Sequence, residues 1–299
     1  MTTHRFIPTQ WHNVLGTLPP ALTIESGDTV VTETIDANGW DKSDAKVASS
    51  PNPMNGPIAI NGAQPGDTLK VEILAMTPNR ATGWTRASLA DLVVEPSFVP
   101  NLPPRERATW RIDRNAQTVT LGGVGPLGDL TMPLAPMIGC FGVAPAGGQA
   151  ISTTTSAEHG GNMDYRRFGP GSTVWFPIAV PGALFFLGDC HAIQGDGEIV
   201  GTGVETSYEV TVRLSIDKGP IVWPRGENER DIFTIGNARP LDQALQHATT
   251  EMVRWLGEYG LDVTAASNLL GQAVRYDIGN VYDPAFTVAC RLSKQWLPK

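Results

Sequence analysis

Apolar and polar residues alternate with a period of two over residues 29–35, 69–74, 118–121 and 209–216. Side chains on a strand point alternately to its two faces, so each stretch predicts a strand with one wet face. Residues 174–187 are apolar on both faces and contain Pro177 and Pro181. They predict one or two central strands bent at Pro181-Gly182. Late in the chain the period changes. Leu241, Ala244, Leu245, Ala248, Met252, Trp255 and Leu256 recur at helical steps between Pro240 and Tyr259, with Gly260 placed to end the helix. Asp262 and Thr264 are both positioned to cap a second helix over residues 265–276. Residues 96–104, rich in proline, predict a surface loop.

A short pattern precedes three of the predicted strands. Ser26-Gly27-Asp28-Thr29, Pro65-Gly66-Asp67-Thr68 and Pro170-Gly171-Ser172-Thr173 share a glycine, a small polar residue and a threonine. Glycine supplies the positive φ of a turn, and the Asp or Ser side chain holds local backbone groups. The unequal spacing argues for repeated turn chemistry and against a solenoid. The predicted fold is mainly β, a jelly-roll-like β-sandwich. Residues 1–215 form the sandwich and residues 216–299 a smaller α+β part packed on it, since helical periodicity is confined to the latter.

Composition supports this and removes several function classes. The chain has 299 residues, of which 32 are Gly and 24 Pro. Together these are about a fifth of the chain, against roughly an eighth in average usage, which favours turns and short strands. A formal net charge of −8 leaves no basic excess to neutralise phosphates, so no nucleic-acid partner is expected. The 3 cysteines, Cys140, Cys190 and Cys290, form no CxxC pair and imply neither a disulfide framework nor a thiolate zinc site. Residues 1–20 lack the apolar core of a signal peptide. The longest uncharged apolar run, residues 174–188, is too short and proline-broken to span a bilayer. No membrane association is expected, and the expected location is cytoplasmic.

One segment concentrates polar chemistry against an apolar strand. His159-Gly-Gly-Asn-Met-Asp164 precedes the 174–187 run, and Gly188-Asp-Cys-His-Ala-Ile-Gln-Gly-Asp-Gly-Glu198 follows it. Asp189 and His191 sit two positions apart, which on a strand places both side chains on one face. Such a pair either ligates a metal or forms a carboxylate–imidazole couple that fixes the tautomer and raises basicity. Structural readings compete. An Asp-x-His pair arises by chance, Asp196 suits a turn leading into a strand over 198–204, and His159 suits a loop bonded to backbone. The pattern alone leaves both open. Asp36 and Asp41 flank Asn38-Gly39 and read first as a hairpin turn. Cys140 reads as a buried thiol, and Cys190, alternating with Asp189 and His191, points to the other face of its strand. His4 and His12 lie in an N-terminal arm, and His247 in the first helix reads as structural. No GxSxG elbow, GxGxxG, P-loop or HExxH motif is present.

The His159-to-Glu198 segment, with Gly203-Val-Glu205 behind it, resembles the acetamidase/formamidase family. Gly56-Pro-Ile-Ala-Ile-Asn-Gly-Ala-Gln-Pro-Gly-Asp67, Ile138-Gly-Cys-Phe-Gly-Val-Ala-Pro145 and Val281-Tyr-Asp-Pro284 agree with it. The resemblance covers nearly the whole chain. It implies hydrolysis of a short, neutral aliphatic amide of formamide or acetamide type, a divalent metal, expected to be zinc, and a homo-oligomer. Under it, Asp189, His191, His159 and Asp36 are the expected metal ligands. Glu198 is the expected general base and acid, with Asp164 second. Gln194 is expected to bind the oxyanion and Asn162 to orient the amide. Trp40, Trp84, Trp110 and Trp175 are candidates for pocket walls. Two alternatives remain: hydrolysis of another C–N bond, in a larger amide or a urea-like compound, and a non-catalytic jelly-roll binding protein. The full set of acidic and histidine residues weighs against the last.

Overall fold

The alternating stretches become strands Asp28–Glu33, Thr68–Pro78, Thr118–Leu121 and Tyr208–Asp217 in the computed structural model, which describes residues 1–298. Among these residues the strands assemble into two large sheets of nine and eleven strands, plus a two-stranded ribbon. Strands Asp28–Glu33, Tyr208–Asp217, Thr68–Pro78 and Thr173–Pro177 are neighbours in the nine-stranded sheet. Thr82–Arg86, Glu205–Thr206, Phe185–His191, Met137–Val143 and Gly160–Asn162 are neighbours in the other.

The inner faces of the two sheets meet in one apolar core. Val71, Val174, Phe176 and Val212 of the first sheet pack with Ile138, Phe141, Phe185 and Leu187 of the second. Phe141 meets Phe176 edge-to-face at 5.1 Å between ring centroids, so one aromatic contact stitches the layers together. This is the mainly β sandwich expected from the alternation.

The three Gly-containing turns are built alike. Gly27, Gly66 and Gly171 have φ of 93°, 90° and 84°. Asp28 and Asp67 carboxylates accept the backbone N–H of Glu25 and Gln64, and Ser172 Oγ donates to the Gly169 carbonyl. All three turns feed strands of the nine-stranded sheet, where the polar residue closes the turn as the strand begins.

The apolar 174–187 run yields two strands, Thr173–Pro177 and Phe185–His191, which lie in different sheets. The bend at Pro181-Gly182 is therefore a crossover between layers; Phe185–His191 is buried on both faces, whereas Thr173–Pro177 buries one face and leaves the other half-buried. The first helix spans Leu241–Glu258. The second spans Val263–Ala273, with Asp262 Oδ1 accepting the Ala265 N–H at 2.7 Å. It stops short of the expected Tyr276 because Arg275–Ile278 pair as an edge strand with Phe286–Ser293. The boundary expected after residue 215 falls within the strand Tyr208–Asp217, and Arg225–Glu227, Asp231–Ala238 and Phe286–Ser293 extend the same nine-stranded sheet. The C-terminal part also has its own apolar cluster, in which Ala248, Met252 and Leu256 of the first helix pack on Ile232, Val288 and Leu292. Neither helix is long and apolar enough to cross a membrane.

Candidate active site

The strand Met137–Val143 organises the site because it pairs on both sides. Its antiparallel neighbour Phe185–His191 places His191 opposite Met137 and Gly188 opposite Cys140. Its other neighbour places Asn162 opposite Cys140. Segments quoted separately from the sequence are thus laid side by side, and the Gly139 carbonyl accepts the N–H groups of Met163 and Asp164, both at 3.1 Å. Glu205 arrives by a hairpin: the chain turns after His191 and returns with Glu205 directly opposite it. Glu198 lies midway round that excursion, on the 3-10 turn Asp196–Glu198. Asp283 comes from the segment before Phe286–Ser293, a strand of the other sheet.

The result is a buried nest of carboxyl groups around one imidazole. Asp164, Asp189, His191, Glu198, Glu205 and Asp283 are between 0% and 8% exposed. His191 Nε2 lies 3.0 Å from Glu205 Oε1 and 3.4 Å from Asp189 Oδ1. Asp164, His191 and Glu198 place one ligand atom each within 4.8 Å of one another, and so do Asp189, His191 and Glu205. Asp164 Oδ1, Asp189 Oδ1, His191 Nε2 and Glu205 Oε2 are buried without a hydrogen-bond partner. A buried polar atom left unpaired costs about 1–3 kcal/mol, and more when charged, and where these atoms converge the residues could hold a cation.

Titration behaviour follows from the crowding. Burial raises Glu205 to about 8, and neighbouring Asp189 adds to the shift. Burial likewise raises Asp283 to about 7. Asp164 and Glu198 are pushed well above the usual carboxylate range, first by burial and then by the carboxyl groups facing them. Burial alone lowers His191, but Glu205 and Asp189 outweigh it and push the imidazole well above its ordinary value. Three of the acids are also held in left-handed backbone conformations, with φ of 47° at Asp164, 52° at Asp189 and 47° at Glu198. Non-glycine residues pay for such geometry, and it concentrates at functional sites.

Gln194 fixes the imidazole. Its Nε2 donates to the Asp164 and Gly279 carbonyls, so Oε1 accepts from His191 Nδ1 at 2.8 Å. That keeps a proton on Nδ1 and aims Nε2 at the carboxyl groups. The expected oxyanion role for Gln194 is not supported, because both ends of its amide are engaged behind the imidazole. Asp36 is also not in the nest. Its carboxylate accepts from Arg80 Nη2 at 2.8 Å, Trp84 Nε1 at 3.0 Å and the N–H groups of Asn38 and Trp40. It therefore closes the turn and neutralises a buried arginine, as the hairpin reading of Asn38-Gly39 implied. His159 is buried outside both ligand groups with neither ring nitrogen bonded, and burial lowers it to about 4.

Asp164, Asp189, His191 and Glu198 are brought together as the segment suggested. Sequence reasoning assigned no role to Glu205, Asp283, Asn52 or Asn280. Asn52 donates to Asn162 Oδ1 at 2.9 Å, Asn162 donates to Asp283 Oδ2 at 2.6 Å, and Asn280 donates to Asp164 Oδ2 at 3.4 Å. Glu205 was detectable from one signal: it mirrors His191 about Glu198 at the centre of a Gly-rich excursion, the arrangement of a hairpin.

The nest opens into a cleft of about 640 Å³ lined by Asn162, Asp189, Glu198, Glu205 and Asp283, with Trp84 among its walls. A second cavity, of about 420 Å³, lies behind Gln194 and is walled in part by Trp110. It contains none of the carboxyl groups, so the chemistry belongs to the first. Gly139 limits how tightly the nest packs. A Cβ there would lie 2.4 Å from Asp164 Oδ1, 2.9 Å from the Asp189 carbonyl and 3.1 Å from Asp189 Oδ2. Gly139→Ala is expected to displace both acids and destabilise the fold by about 1–3 kcal/mol. Thermal unfolding alongside amide turnover checks this, and an unchanged midpoint with full turnover would show that the acids do not need the space.

The chain matches the profile of the acetamidase/formamidase family over residues 3–148 and 142–290. An acetamidase structure from Yersinia enterocolitica superposes with a TM-score of 0.86 at 33% identity, covering 99% of this chain and 93% of that one. An acetamidase of Mycolicibacterium smegmatis is 27% identical across 81% of this chain and 69% of its own length. A formamidase of Methylophilus methylotrophus is 24% identical across 55% of this chain and 51% of its own length. The profile matches run through the segments that build the carboxyl nest, and the chain belongs to the acetamidase/formamidase family.

Proposed function

We propose that this amidase hydrolyses short aliphatic amides of formamide or acetamide type to the carboxylate and ammonia, and that it does so with a divalent metal, zinc, at the carboxyl nest. The carrying observation is the set of four unpartnered buried atoms on Asp164, Asp189, His191 and Glu205. Asp189, His191 and Glu205 suit the metal best: two carboxylate oxygens face the Nε2 of an imidazole whose Nδ1 is engaged by Gln194, so a metal would take the place of the Nε2 proton. When bound, zinc there would supply the positive charge that polarises an amide carbonyl and acidifies water.

The chain's own residues do the rest. Glu198 takes a proton from the attacking water at its carboxylate and delivers it to the departing nitrogen, its proton affinity raised by burial among other acids. Asp164 stands next to it as the second candidate. Asn162 is assigned to holding Asp283 at the cleft wall, since its amide already bridges Asn52 and Asp283. Residence in the cytoplasm and a homo-oligomeric state complete this reading.

Chelator-treated protein is expected to lose ammonia release from formamide and acetamide, and zinc is expected to restore it. Full turnover in protein shown by elemental analysis to hold no metal would overturn the metal requirement.

A further inference from the structure

Arg86 and Arg239 line the same cleft as Asp189, Glu198, Glu205 and Asp283. Among the described residues neither guanidinium pairs with a carboxylate, in contrast to Arg80, Arg225 and Arg291. Each rests instead on an aromatic face. Arg86 lies 5.8 Å from the Trp84 ring centroid and Arg239 lies 4.8 Å from that of Phe286. Arg86 has a further peculiarity. It stands directly opposite Arg107 across the strands Thr82–Arg86 and Arg107–Asp113, and Arg107 shares the Trp84 ring at 4.9 Å. Like charges directly opposite on paired strands destabilise the pair. Arg86 is half-buried and Arg239 exposed, so both guanidinium groups keep hydrogen-bond donors free on the cleft side, the character of a site for an anion at the cleft mouth.

The cleft volume of about 640 Å³ points the same way, because formamide or acetamide fills little of a space of that size. Buried carboxyl groups crowd the site, so an anionic tail would be repelled from the nest and drawn to the arginines. That polarity would orient a two-ended molecule with its amide inward.

We infer that Arg86 and Arg239 form an anion-binding wall, and that the site also takes amides bearing a carboxylate at the far end of a short acyl chain, monoamides of small dicarboxylic acids, in preference to neutral amides of the same length. This rests on the amidase reading above and extends its substrates beyond the neutral amides named there. Only the amide C–N bond breaks. Water supplies oxygen to the acyl carbon, which leaves as a carboxylate, both water protons leave with the nitrogen as ammonium, and the distal carboxylate is untouched.

The test compares ammonia release by the zinc-loaded protein from propionamide with release from malonamate and succinamate, in the unaltered chain, in Arg86→Gln/Arg239→Gln and in Arg86→Lys. The carboxylated amides are expected to be preferred in kcat/KM. The double variant is expected to lower that preference by about ten- to a hundredfold, mainly through KM, and the lysine variant to retain part of it. A residue serving only to offset the acids would alter both substrate classes equally. An unmoved ratio, or a preference for propionamide, therefore overturns the anion wall and leaves the amidase intact. If neither class releases ammonia, the amidase reading fails. Calorimetric binding of succinate to the unaltered and double-variant proteins then decides the anion wall, with equal or absent binding overturning it.

Discussion

Glu198→Gln is expected to reduce kcat for amide hydrolysis by about 10²–10⁴-fold while fold and metal content are retained. Glutamine preserves the size of the side chain and its place on the turn Asp196–Glu198, but not its proton affinity. The structure sharpens the expectation for stability. Glu198 is buried among Asp283, Glu205 and Asp189, all of which raise its proton affinity by repulsion, and only His191 opposes them. Removing that carboxyl group takes one potential negative charge out of a crowded interior. The thermal midpoint of the metal-free variant is therefore expected to hold or rise, opposite to the usual effect of altering a buried polar residue. Single-turnover kinetics, metal analysis and thermal unfolding on the same preparation separate the outcomes. Turnover within a few-fold of the unaltered chain would move the base to Asp164.

His191→Ala is expected to abolish both metal retention and turnover. His191 is the member common to the two ligand groups, so neither remains complete without it. The substitution also empties space in the interior and leaves Gln194 Oε1 without its donor. A loss of about 2–4 kcal/mol in stability is expected on those grounds alone. Zinc titration against a competing chelator, with denaturant unfolding as the parallel measurement, distinguishes loss of a ligand from loss of the fold. A folded variant that binds zinc with undiminished affinity would remove His191 from the metal site.

Much of the fold was legible because its signals are local. Alternation over residues 29–35 and 209–216 marked strands, and the leucine and alanine spacing after Pro240 marked a helix. The Asp189–His191 pair was legible for the same reason, even though Asp189 takes φ of 52° within its strand. Asp36 was misplaced because a carboxylate before Asn-Gly has two uses, and only the position of Arg80 shows which applies. His159 lies beside Gly160-Gly161 like a loop residue, yet the chain folds it into the interior away from the acids.

By itself the sequence marked the alternating strands and the first helix, a mainly β interior, and a 159–198 segment that supplies Asp164, Asp189, His191 and Glu198. These depend on the periodicity of consecutive side chains, which the backbone geometry of each element imposes. The partners across the site were decided only by tertiary structure. Glu205 faces His191 because of the register in which a Gly-rich excursion closes, and no residue within it states that register. Asp283 reaches the nest from the opposite sheet, and the two halves of the 174–187 run separate into different layers. Such convergence is set by how sheets pair and pack over long chain separations, where local pattern carries no information about which side chains will meet.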